Sequence, residues 1–142
     1  MTFFSAPRAV VVDASVAMHV LAGAPEWHEQ WREWQEADAM LLAPAHFGVE
    51  VANASLRGAR LSAADASSRL ERLFSAGVEI TDRGLPGLLE AVDLADRHHL
   101  TVYDALYLQL AADVDGELAT LDRALADAAR EEGISLSPGS AG

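Results

Sequence analysis

Ala9-Val10-Val11-Val12-Asp13-Ala14-Ser15 is the stretch that decides how the rest of the chain is read. Three β-branched residues in a row, with no polar residue alternating between them, suit a strand of a parallel sheet covered on both faces. Such a strand ends where its first polar side chain must meet water, and that residue is Asp13. A carboxylate at the C-terminal tip of a buried strand, with Ser15 as the candidate cap of a following helix, stands where open α/β sheets place their ligand sites.

Working outward, residues 16–21 continue as a short helix that Gly23 ends. Pro25 opens a second helix, on which Trp27, Trp31 and Trp34 share one face. The core is the expected place for them, and a partner-binding groove is the alternative. Residues 40–43 suit a second strand. From Ala45 a helix carries Glu50 and Asn53 on one face with Arg57 one turn further, and Gly58 and Arg60 close it. Ser62 and Asp65 resemble a capping box for a helix whose buried face is Leu70, Leu73 and Phe74. Residues 78–81 suit a third strand. A helix opening near Pro86 runs to His98 and His99, two side chains that diverge on a helix and suit its C-terminal end better than a metal pair.

Asp104 falls in the first turn of the next helix, which reaches about Asp113, and Gly116 breaks the chain. Residues 117–121 suit a fourth strand, 123–132 a last helix and 134–136 an edge strand. Residues 137–142 are expected to fray. This alternation predicts a single α/β domain over residues 1–142, with a central, mostly parallel sheet flanked by helices and right-handed crossovers.

The 142 residues fit one core, and 51% of them are apolar, which favours a folded chain over disorder. The absence of cysteine excludes a disulfide framework, a thiolate metal site and a Cys nucleophile, and agrees with a reducing, cytoplasmic setting. Neither a signal peptide at Met1-Thr2-Phe3-Phe4 nor a membrane span is expected. A net charge of -12 excludes nucleic-acid binding by bulk attraction, so any such chemistry must rest on a local site. All ten basic residues are arginine, which excludes every mechanism that needs a lysine.

Asp13 and Asp122 each close a strand, while Glu50 and Asp104 lie in helices entered from the same edge of the sheet. Four crowded carboxylates repel one another, and a hard divalent cation, Mg²⁺ or Mn²⁺, removes that conflict. Asp113, Asp115 and Glu117 lie nearby in sequence and suit solvated turns.

The order Val12-Asp13-Ala14-Ser15, Glu50-Val51-Ala52-Asn53, Tyr103-Asp104-Ala105-Leu106-Tyr107 and Thr120-Leu121-Asp122 closely resembles the PIN domain, and within it the VapC-type toxins of bacterial toxin-antitoxin pairs. The resemblance covers almost the whole chain. It implies an α/β sandwich with an acidic pocket, a Mg²⁺- or Mn²⁺-dependent endoribonuclease and a VapB-type antitoxin that silences it. It also implies an acidic site of Asp13, Glu50, Asp104 and Asp122, supported by Ser15, Asn53 and Thr120. A homodimer without membrane attachment is expected.

The mechanism expected from such a site has a metal held chiefly by Asp13 and Asp104, with Glu50 or Asp122 orienting a water or holding a second ion. Thr120, two residues before Asp122, is expected on the same strand face, and Arg57 is a candidate for gripping the RNA backbone. A phosphorelay receiver would need a lysine, and a haloacid-dehalogenase-like phosphatase would need an aspartate where Ser15 stands. The alternative of another class is a catalytically silent PIN-like module that binds RNA or protein.

Overall fold

The computed structural model describes residues 8–141, so the expectations for Met1–Phe4 and for Gly142 fall outside it. Strand β1 (Ala9–Val12) runs between β2 (Met40–Ala43) and β4 (Glu117–Ala119), and β3 (Glu79–Ile80) pairs with the outer side of β2. All pairings are parallel: Val10 faces Leu41 on one side, and Val11 faces Leu118 on the other. Val10, Val11 and Val12 are fully buried, as their unbroken β-branched run requires. Gly116 precedes β4 because a Cβ there would lie 2.7 Å from the Ala9 carbonyl oxygen, a backbone clash that no side chain can avoid.

Among the described residues, seven α-helices connect and cover the sheet. They are α1 (Ala14–Leu21), α2 (Pro25–Glu36), α3 (Phe47–Asn53), α4 (Ala63–Ser75), α5 (Gly84–His98), α6 (Val102–Asp113) and α7 (Arg123–Glu131). The three tryptophans of α2 are buried in the core, Trp27 and Trp34 with ring centroids 6.3 Å apart. His98 near the end of α5 lies 3.1 Å from Glu131 of α7, which gives it a structural place between helices. No helix among the described residues is long and apolar enough to cross a membrane.

Several local expectations need correction. The cap of α1 is Asp13, whose carboxylate accepts the Val16 N–H at 3.0 Å, and Ser15 lies inside the helix. After α3 the chain widens into a π-helical turn (Ala54–Gly58), where the Ala59 N–H reaches back five residues to the Ala54 carbonyl. That turn breaks the simple spacing from Glu50 to Arg57. On α4 Leu73 is buried, but Phe74 is exposed, its ring set edge-on to Phe47. Strand β3 keeps two residues of the four expected, and β4 stops at Ala119, two residues before Leu121.

In place of an edge strand at 134–136 there is a single bridge between Leu118 and Leu136. The segment beyond it does not fray over its described residues. Buried Ser137 donates its hydroxyl to Glu117 at 2.7 Å and its N–H to the Leu118 carbonyl, and the Ala141 N–H reaches Thr120. These bonds satisfy polar groups on the outer side of β4, a use of the tail that no local pattern announces.

Candidate acidic site

Asp13 is the fixed point of the site because the sheet places it. Its N–H bonds to the Ala119 carbonyl at 3.1 Å, continuing the β1–β4 ladder by one residue, and the residue is 5% exposed. Both carboxylate oxygens are held. Oδ1 accepts the Ser15 hydroxyl at 2.6 Å and the Val16 N–H at 3.0 Å, while Oδ2 accepts the hydroxyl of buried Thr120. The clamp extends outward, since Ser15 Oγ accepts the Leu121 N–H at 3.1 Å and Thr120 Oγ1 accepts the Asp122 N–H at 3.0 Å. Thr120 thus serves Asp13; because β4 has already ended, strand alternation does not place it beside Asp122.

Burial pushes the Asp13 carboxyl up to about 6. The Ser15, Thr120 and Val16 donors oppose that rise, and the nearby charge of Asp104 adds to it. Asp104 stands in the first turn of α6, where its own N–H is capped by the Thr101 hydroxyl at 3.1 Å. Burial pushes its carboxyl up, followed by the charge of Asp122, with Glu50 adding in the same direction. Asp104 therefore lies within electrostatic range of Asp13, Asp122 and Glu50. Asp122 caps α7, accepting the Leu125 N–H at 2.8 Å.

Glu50 differs from its neighbours. Tyr107 donates its hydroxyl to Glu50 Oε1 at 2.8 Å, and His46 Nε2 lies 2.9 Å from the same oxygen. The imidazole is not aligned for a hydrogen bond there, and the contact is a close packing one. Burial alone would push the Glu50 carboxyl up, but His46 and Tyr107 together hold it below its ordinary value. Burial and Glu50 in turn push the Tyr107 phenol far up, so it stays a donor. The His46 ring is boxed in by Tyr107 and Tyr103, with centroids 4.9 Å and 5.7 Å away.

Neither His46 nor Tyr107 was assigned a role from the sequence. The available signal was spacing: His46 is one turn before Glu50, and Tyr107 is one turn after Asp104. Asn53 is exposed on α3, and Arg57 is exposed in the π-helical turn with no ion pair among the described residues. Arg123, passed over in sequence, is also exposed and unpaired among the described residues, and it directly follows Asp122. A concavity of about 710 Å³ opens at the other end of the strands beside Arg8 and Glu117 and contains none of the four acids.

The donors gathered here are hard oxygens, which match Mg²⁺ or Mn²⁺ and not a soft ion. Among the described residues, no three acids or histidines are drawn together as a ready ligand shell. What remains uncompensated is the charge of Asp13 and Asp104, and that fits a water-rich ion held by two carboxylates.

A four-stranded parallel sheet with such an acid cluster at its C-terminal edge defines the class: the chain belongs to the PIN domain family, whose model matches residues 10–131. Among its relatives are two proteins called Ribonuclease VapC3. The one from Mycobacterium tuberculosis is 37% identical over 127 residues, covering 87% of this chain and 90% of the relative. The one from Pyrobaculum aerophilum is 36% identical over 125 residues, covering 83% and 92%. A crystal structure from Pyrobaculum aerophilum aligns with a TM-score of 0.67 at 25% identity, over 87% of each chain. The structure of VapBC2 from Rickettsia felis, bound to a promoter DNA fragment, aligns with a TM-score of 0.70 over 91% of this chain and 97% of that one, and at 12% identity the likeness is one of fold.

Proposed function

We propose that this PIN domain is an endoribonuclease dependent on Mg²⁺ or Mn²⁺, the toxin of a VapBC-type pair, with a VapB-type antitoxin as its partner. The observation that carries it is the pair Asp13 and Asp104, two desolvated carboxylates raised chiefly by burial, Asp13 further by Asp104 and Asp104 further by Asp122 and Glu50, in a family whose relatives here are ribonucleases. Those two residues would hold the ion. When bound, it supplies a positive centre that neutralises phosphate charge and acidifies water. Ser15 and Thr120 keep the Asp13 carboxylate immobile, which spares reorganisation during the reaction. Attack by water and not by the ribose 2'-hydroxyl leaves a 5'-phosphate and a 3'-hydroxyl. Exposed Arg57 and Arg123 are the groups to grip the RNA backbone, since the net charge gives no help.

The antitoxin is expected to offset the acidic pocket with an arginine, a guanidinium standing in for the cation. A homodimer suits α5, where Leu85, Leu88, Leu89 and Val92 form an exposed stripe at helical spacing. Leu89→Asp is expected to convert dimer to monomer in light scattering; an unchanged mass would move the interface elsewhere.

The metal is tested by melting. An ion that binds only the folded chain raises stability by RT ln(1 + [L]/Kd), about 2.7 kcal/mol at a hundredfold excess over Kd. Wild type with Mn²⁺ should show this gain, and Asp104→Asn should lose most of it while being at least as stable as wild type without metal. Equal gains in both proteins would remove Asp104 from the site. For activity, purified protein should cleave total RNA with Mn²⁺ and stop on chelation. Cleavage that survives chelation would overturn the metal reading, and no cleavage at all would leave a binding module.

A further inference from the structure

We infer that Tyr107 and His46 are positioning residues that fix Glu50 through one carboxylate oxygen, Oε1, so that its other oxygen, Oε2, is the acceptor for the attacking water. The inference rests on the ribonuclease reading and concerns Glu50, which the sequence leaves equivalent to Asp122.

The two acids are held differently. Asp122 Oδ1 accepts the Leu125 N–H of its own helix at 2.8 Å. Glu50 is held by side chains instead, the Tyr107 hydroxyl at 2.8 Å and His46 Nε2 at 2.9 Å, which both meet Oε1. Oε2 has no hydrogen-bond donor among the described residues. The two neighbours are themselves immobile. Tyr107 is buried in α6, three residues after Asp104, and the His46 ring lies between it and Tyr103. His46 is moreover tied to the same turn, since its carbonyl accepts the Glu50 N–H at 3.0 Å.

A flexible glutamate has three side-chain torsions to freeze, and a carboxylate that must meet water in one orientation gains rate from having them frozen beforehand.

The test is Tyr107→Phe, which removes one oxygen and keeps the ring. Loss of a group that orients a catalytic side chain typically lowers activity ~10-fold or more. The expected result is a kcat for RNA cleavage reduced ~10-fold, with KM, the Mn²⁺ dissociation constant and the melting temperature all near wild type. A kcat equal to wild type, or a Mn²⁺ affinity that falls in step with kcat, would overturn the inference. The first would make the phenol structural, and the second would make it part of the metal site. If wild type itself fails to cleave RNA with Mn²⁺, the ribonuclease reading falls and this inference falls with it; active wild type beside fully active Tyr107→Phe leaves that reading standing.

Discussion

Asp104→Ala and Asp13→Ala will each lower RNA cleavage by about a thousandfold or more, which is ~4 kcal/mol of lost transition-state stabilisation. Both remove a charge that no neighbouring group can replace, because the remaining acids of the cluster are either a helix cap or held by Tyr107 and His46. The two variants part company in stability. Asp104→Ala takes away a carboxylate that burial and Asp122 both disfavour, so the metal-free protein should melt no lower than wild type. Asp13→Ala deletes the cap of α1 and strands the Ser15 and Thr120 hydroxyls and the Val16 N–H, at a cost of roughly 1 kcal/mol for the cap alone. Single-turnover cleavage and urea melts of both variants check this, and wild-type rates in either would place the hydrolysis at another site.

The metal-free protein should lose stability as pH rises from about 4 to about 6. Asp13 is raised from 3.8 to about 6 in the folded state, so the native chain holds that proton more tightly than the unfolded chain. Protonation therefore favours folding below pH 4, and the advantage is gone once pH passes about 6. The contribution is about 3 kcal/mol for a group this deeply buried. Asp104, also raised, adds in the same direction, whereas Glu50, which is lowered, works against acid and loses its contribution as pH falls. The difference between wild type and Asp13→Asn isolates the term, because the other acids are common to both. Urea unfolding at several pH values in chelator gives that difference, and parallel curves for the two proteins would refute it.

Bound Mn²⁺ should reverse the trend near neutral pH, since an ion prefers the ionised carboxylates that burial alone disfavours. The acidic site is therefore a place where folding and function pull in opposite directions. The clamp of Ser15, Val16 and Thr120 offsets part of the burial cost but leaves the Asp13 carboxyl raised. A site relieved entirely by its own side chains would have little use for a cation. Glu50 shows the other outcome, with its charge satisfied by His46 and Tyr107.

The sequence by itself determined what depends on near neighbours. Val10, Val11 and Val12 cannot alternate between core and solvent, so the strand is buried on both faces and its first polar residue, Asp13, must emerge at the tip. Pro25, Ser62 and the spacing of the tryptophans act within a turn or two of helix, and the helices form where those residues stand. Asp13, Glu50 and Asp104 stand where local pattern places them, the first at the tip of its strand and the others in the first turn of a helix, whereas Asp122 caps α7 beyond the end of β4. Only the tertiary structure decided how they are held. Thr120 reaches Asp13 across 107 residues, and Tyr107 reaches Glu50 across 57. No local pattern encodes which oxygen of a carboxylate a distant hydroxyl will meet. The described tail is settled in the same way: Ser137 and Ala141 look like fraying residues until the open side of β4 supplies partners for their N–H groups. Propensity acts over a few residues, whereas a hydrogen bond between remote segments exists only after packing has brought its two ends together.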